Sequence, residues 1–335
     1  MAELCEPAAA LVVRLRHTLV PAVLTPLTEE GELDQLALER YATAISSRGV
    51  GGLAAWAHTS RARFLSPAQR RQVLRVFRQA TRVPIIAGVG APHDVEPSEA
   101  AVIEATLQAA REALDGEADA LMVFPPIALR DAPDRDLITL RMHRRLAEEC
   151  DVPLLLFYLH GGAGGFPYPD GVLRELLALP QVAGIKVATL DAAVACQDVI
   201  GLVRQEFGDR LAITGEDRMY GPSLMWGADA ALVGMAAAVP ELSLAPLRAW
   251  EQGHHREFVE ASSRLDRFAA ATFRSPIEGY VQRMLWAAAW EGVIPAASAN
   301  DPFGPRLPAG ERELVERTLD DLFPAGPPAV RSRED

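Results

Sequence analysis

Cysteine is scarce in this chain: three residues, Cys5, Cys150 and Cys196, among 335. Their spacing matches no metal-ligand pattern, and an odd number closes no disulfide framework, so a reducing, cytoplasmic setting is expected. Positive charge is short as well. Lys and Arg number 33 against 45 Asp and Glu, a net charge of −12, and no basic stripe presents itself to phosphates, which argues against a nucleic-acid partner. The arginines from Arg61 to Arg78 are interleaved with apolar residues at helical spacing, the pattern of a solvated helix face. No uninterrupted apolar run approaches the roughly 20 residues of a membrane span. The apolar patch Ala8 to Val13 follows Glu3 and Glu6, where a secretory signal needs positive charge. Neither membrane insertion nor export is expected. Missing too are a His/Asp/Glu set with metal spacing, a serine nucleophile elbow and a phosphate-binding glycine loop.

Apolar residues make up 49% of the chain and charged residues 23%, enough for a large core. Short apolar runs alternate with amphipathic stretches. The strands read as Leu19–Thr25, Gly52–Ala57, Pro84–Gly88, Ala118–Phe124, Pro153–Tyr158, Val182–Lys186, Leu211–Gly215 and Ala230–Gly234. Helical spacing runs through 34–48, 66–80, 96–114, 136–149, 170–178, 191–207 and 219–226, with Ser66 placed to cap the second of these. Continuous rather than alternating apolar runs are what parallel strands covered on both faces require. Eight β-then-α units predict a (β/α)8 TIM barrel. The open doubly wound sheet competes, but it needs a glycine-rich turn after strand one, where Thr25-Pro26-Leu27-Thr28 stands. The expected organisation is a barrel over 1–240, a C-terminal helical region over 241–323 and a frayed tail over 324–335.

Barrel chemistry sits at the C-terminal ends of strands. There, Lys186 ends strand six and Tyr158 ends strand five. A desolvated amine loses pKa and can attack a carbonyl to form a Schiff base, and a nearby hydroxyl can relay the protons. A lysine that merely snorkels from a strand end is the plain alternative, as is a packing role for the tyrosine. Strand two delivers His58, Thr59, Ser60 and Arg61; Arg61 could grip a carboxylate through its planar fork, or simply lead the following helix on the surface. The glycine-rich turn from Gly161 to Gly165 could offer main-chain N–H groups to an anion, or be only a flexible loop. Gly215, Asp217 and Gly234 follow strands seven and eight and complete the candidate set.

With these residues the chain resembles the dihydrodipicolinate synthase / N-acetylneuraminate lyase family of class I aldolases. The resemblance rests on PAVLTP at Pro21–Pro26, PIIAGVGA at Pro84–Ala91, FY at Phe157–Tyr158, GIKVAT at Gly184–Thr189, TGED at Thr214–Asp217 and DPFGPRLP at Asp301–Pro308. It implies a Schiff base on Lys186, no metal or organic cofactor, pyruvate or a related 2-oxo acid as substrate with an aldehyde as possible second partner, and a homo-oligomer, dimer or tetramer. It also implies that Asp217 stands where lyases contact a polyol. Three departures stand out. The family's strand-two motif Gly-Thr-Thr-Gly-Glu reads Ala57-His58-Thr59-Ser60-Arg61, a Tyr pair after strand four is replaced by Pro126 and Ile127, and the loop after Tyr158 has no Arg. They speak against dihydrodipicolinate synthesis itself. The expectation is a lyase or aldolase in which Lys186 attacks, Tyr158 relays protons, His58 serves as an acid/base and Thr59, Ser60 and Arg61 hold the carboxylate. A sugar-acid dehydratase using the same iminium, and a catalytically silent ligand-binding barrel, are the alternatives.

Overall fold

The computed structural model describes residues 3–328. Its first element, α1 (Glu6–Leu15), is a helix where the sequence shows only a short apolar patch. Pro7 sits in its first turn, where a missing N–H costs nothing.

Eight strands follow: β1 (Leu19–Pro21), β2 (Leu53–Ala55), β3 (Ile85–Val89), β4 (Ala120–Val123), β5 (Leu154–Leu159), β6 (Val182–Ala188), β7 (Leu211–Thr214) and β8 (Ala230–Val233). Neighbours pair in parallel in the order β1-β8-β7-β6-β5-β4-β3-β2, and a parallel bridge between Ala22 and Ala54 joins the two ends. This is the expected (β/α)8 barrel. Between the strands run α2 (Gln35–Ser46), α3 (Pro67–Ala80), α4 (Glu99–Asp115), α5 (Arg135–Glu149), α6 (Asp170–Leu177), α7 (Ala193–Glu206) and α8 (Tyr220–Trp226). Ser66 caps α3 in a full capping box, its hydroxyl accepting from the Gln69 amide while the Gln69 side chain accepts from the Ser66 amide. Beyond β8 lie α9 (Glu241–Glu251), α10 (His255–Thr272), α11 (Tyr280–Trp290) and α12 (Glu311–Leu322).

Successive strand residues face opposite sides of the sheet. One set, including Ile86, Met122, Leu155, Phe157 and Ile213, fills the barrel interior together with the buried stripe of α1, which stops one end. The other set, Tyr158 and Val187 among it, merges with the helix faces in a larger cluster that also takes in residues of α9 to α12. The outer core therefore runs across residue 240. Of the tail expected from 324, residues 329–335 lie outside the described residues.

Buried Arg283 of α11 ties the segments of the C-terminal region to one another. It donates to the Arg274 carbonyl at 2.8 Å, to the Thr272 carbonyl at 3.2 Å and to Glu311 of α12 at 2.7 Å. That clamp fixes the segment between α10 and α11, which delivers Phe273, Glu278 and Tyr280 to the site described next.

Candidate active site

A small chamber of about 30 Å³ opens at the C-terminal ends of the strands. Lys186 enters it from β6, Phe157 and Leu159 from β5, and Gly215 with Asp217 from the end of β7. His58 and Thr59 come from the turn after β2, His160 from the loop after β5, and Phe273 and Tyr280 from the C-terminal segment.

Lys186 is in register with Phe157 on one side and Ile213 on the other, so it shares their inward face. Only 5% of it is exposed, and its Nζ lies 4.3 Å from the centroid of the Phe157 ring. Among the described residues it has no hydrogen bond and no ion pair. Burial drives the amine pKa down, and the more distant charges of Asp217 and Glu216 pull only partly the other way. It is also the single lysine of the chain, every other basic chain being Arg or His. That count was open to inspection in the sequence and marks the residue more sharply than its place on a strand.

The glycines expected in the site are there for space. A Cβ on Gly215 would stand 2.7 Å from Lys186 Cε, so glycine leaves room for the amine's stem. One on Gly234 would stand 3.0 Å from Thr59 Oγ1 and 3.1 Å from Tyr280 Cε2. Asp217 is buried, its Oδ1 accepting from the Met235 amide at 2.7 Å. Burial raises its carboxyl pKa, against the pull of that N–H and of Lys186. Glu216, beside it in the chain, accepts from the Thr189 hydroxyl at 2.8 Å and the Leu190 amide at 2.9 Å, and so shapes the loop after β6.

The expected partnership of Lys186 with Tyr158 is not formed. Tyr158 pairs in register with Val187, one position beyond the Phe157–Lys186 pair, and the two-residue period of a strand sends it to the other face. It packs among the outer helices, edge-on to Tyr168 at 5.7 Å between centroids. Phe157, without a hydroxyl, takes the place against the amine. The phenol that does reach the chamber is that of Tyr280, whose Oη lies 3.1 Å from Thr59 Oγ1 and whose ring stacks on Phe273 at 4.6 Å. No spacing in the sequence links it to the strands; the clamp by Arg283 is a tertiary event.

The residues after β2 divide in their tasks. His58 Nε2 stands 3.0 Å from both oxygens of Glu278, and no described protein group bonds to Nδ1. Thr59 faces the chamber. Ser60 does not: it is buried, and its hydroxyl donates to the Ala57 carbonyl at 2.8 Å. Arg61 is also not the carboxylate grip expected of it. Its guanidinium is taken up by Glu278 at 2.6 Å, by Asp301 at 2.8 Å and by the Glu278 carbonyl at 2.7 Å. The carboxylates lie 217 and 240 residues away, beyond anything local spacing reveals. Burial opposes ionisation of Glu278, but the hydrogen bonds and charges of His58 and Arg61 hold its pKa down to about 2. Gly161 is exposed, and its turn closes on itself: the amides of Ala163 and Gly165 donate to the His160 carbonyl and that of Gly164 to the Gly161 carbonyl. Three of the turn's N–H groups are spent in this way, and the amides left to meet an anion are those of Gly161 and Gly162. His160 instead joins the chamber wall, where burial and the neighbouring His58 lower its pKa to about 4.

Among the described residues, no group of three His, Cys, Asp or Glu could hold a metal ion, and no helix is long and apolar enough to cross a membrane.

This geometry has relatives. An uncharacterised DapA-like lyase of Thermococcus kodakarensis is 29% identical over 270 residues, covering 79% of this chain and 87% of its own length. The crystal structure of N-acetylneuraminate lyase from Mycoplasma synoviae shares the fold with a TM-score of 0.73 at 19% identity, covering 92% of this chain and 98% of that one. A prophage protein of the dihydrodipicolinic acid synthase family from E. coli K12, solved in complex with pyruvate, shares it with a TM-score of 0.78 at 19% identity, covering 91% and 98%. The family model for the dihydrodipicolinate synthetase family matches residues 16–321, nearly the whole chain, and this protein belongs to that family of lyases.

Proposed function

We propose that the protein is a Schiff-base lyase or aldolase acting on pyruvate or another 2-oxo acid, with Lys186 as the nucleophile. One observation carries this reading: the chain's single lysine stands buried and, among the described residues, unpaired at the barrel's reactive end. A buried, unpaired ammonium is costly, and the neutral amine that replaces it is the form that attacks a ketone. Nitrogen adds to the 2-oxo carbon and gives up a proton, and the former carbonyl oxygen gains one. A second proton lets that oxygen leave as water, and the iminium remains. The hydroxyl on the fourth carbon then gives up its proton, the bond between the third and fourth carbons breaks, and its electron pair moves into the iminium to leave an enamine as an aldehyde departs; the reverse joins it.

With Tyr158 outside and Phe157 against the amine, the proton work falls to His58. Glu278 holds its Nε2, which leaves Nδ1 as the atom that takes and returns protons. Thr59, supported by the Tyr280 hydroxyl, is the donor left for the substrate carboxylate. The Schiff base supplies the electron sink without a metal or organic cofactor. Assembly as a dimer or tetramer belongs to the same proposal, and analytical ultracentrifugation reads it.

Borohydride reduction in the presence of pyruvate tests the reaction. The expected result is one adduct, located by peptide mass analysis at Lys186 and missing in Lys186→Met. Wild-type protein that gains no mass overturns the reading. Product mass then separates carbon–carbon cleavage from loss of water, the dehydratase outcome.

A second reading, a silent barrel that binds a small acid without turning it over, is favoured by the ring of Phe157 where the amine meets no hydroxyl. Binding of pyruvate without reducible adduct would support it.

A further inference from the structure

Outside the chamber lies a second cavity, about 360 Å³, that adjoins it at His58. Its charged side chains are His58, Arg61, Glu278 and Arg63. His58 is held by Glu278, and Arg61 is paired with Glu278 and Asp301. Arg63 is not so paired. Half-buried, it donates from Nε to the Ala91 carbonyl at 2.8 Å and weakly from Nη2 to the Pro92 carbonyl at 3.5 Å. Among the described residues no carboxylate pairs with it, and Nη1 has no partner. Burial pushes its pKa down with nothing to oppose the shift, the mark of a desolvated cation lacking a counter-charge. Arg is well suited to such a position, because a planar fork recognises carboxylate or phosphate by paired hydrogen bonds.

Beside it the wall is flat and apolar. Phe64 stacks on Phe303 at 5.2 Å and 18° and on His93 at 4.5 Å, with Phe303 36% exposed. Ala163 and Pro305 continue the surface. A molecule with its carbonyl at Lys186 and a body passing His58 would lie along these rings with its far end near Arg63.

We propose that Arg63 is the anion-binding residue of this second cavity, so that the fragment joined to or released from the 2-oxo acid is an aldehyde with an apolar, planar body and a terminal carboxylate or phosphate. This rests on the lyase reading and places the charge recognition on the strand-two loop, not on the loop after β5, which has no Arg.

Binding is tested apart from chemistry, by calorimetry with benzoate, phenyl phosphate and uncharged benzyl alcohol. Wild-type protein is expected to bind one of the two anions at least tenfold more tightly than the alcohol, and the tighter anion identifies the terminal group. Arg63→Gln is expected to erase that preference and Arg63→Lys to restore part of it, with the unfolding temperature of each variant recorded. Equal affinity for the alcohol and both anions, or a preference that survives Arg63→Gln, overturns the proposal. Should Arg63→Gln fail to fold, Arg63→Lys decides: unchanged anion affinity counts against the proposal, a several-fold loss for it. Pyruvate trapping on the same wild-type sample reports the reaction separately, so failure of the lyase reading and failure of the Arg63 site give different results.

Discussion

Two buried cations, Lys186 and Arg61, sit at the same end of the barrel and have been treated in opposite ways by the fold. Arg61 is enclosed by Glu278 and Asp301, its charge fully answered. Lys186 lies against the face of Phe157 and, among the described residues, has no ion pair, with Asp217 and Glu216 acting from farther off. An answered charge is structural: removing one partner strands the others. An unanswered amine is held ready to lose its proton. Burial alone does not distinguish these roles, since each residue is 5% exposed; the number of counter-charges does.

The comparison can be broken most forcefully at Lys186. Lys186→Met should lower turnover by at least about 10³-fold, as loss of a nucleophile does. It should leave stability equal or slightly raised, because a poorly solvated amine is exchanged for an apolar chain. Steady-state kinetics and urea unfolding read the two effects. Arg61→Met should do the reverse to stability, with a loss of about 3–5 kcal/mol from two stranded carboxylates; an unfolding midpoint equal to wild type would dissolve the contrast.

Glu278→Gln sharpens it through pH. The Glu278 pKa is depressed to about 2, so its ionisation stabilises the fold above its ordinary value near 4.5 and the contribution disappears as pH falls through about 2. The variant should be less stable than wild type at pH 7 by on the order of 2–3 kcal/mol. The gap should narrow steadily below about pH 4.5. The smallest effect belongs to Tyr158→Phe, whose hydroxyl has no hydrogen bond among the described residues. Turnover should stay within about twofold, and stability within about 0.5 kcal/mol; a large fall in kcat would return the phenol to the chemistry.

The barrel was legible because eight apolar runs recur with helices between them, and Lys186, Gly215, Asp217 and Gly234 followed from the rule that chemistry gathers at strand ends. Parity was not legible. In the run Leu154–Leu159 all six residues are buried, so hydrophobicity carries no alternation to tell Phe157 from Tyr158, and a one-residue slip exchanges the faces. Nor could Arg61 be read from its neighbours, because its partners arrive from the far end of the chain. Thr59 kept its expected place, whereas Ser60 beside it turned into a backbone bond, a difference set by a 3₁₀ turn at His58–Ser60. Glu278 and Tyr280 lie in a segment whose position depends on Arg283 and Glu311.

The solitary lysine turns occupancy of the site into a yes-or-no cut. A lysine-specific endoprotease acting on the denatured chain has one place to act, between residues 186 and 187. Any reduced covalent adduct there protects the full-length band on a gel. A library of carbonyl compounds can therefore be ranked by the fraction of polypeptide left uncleaved, with no assay for product and before any substrate has been identified.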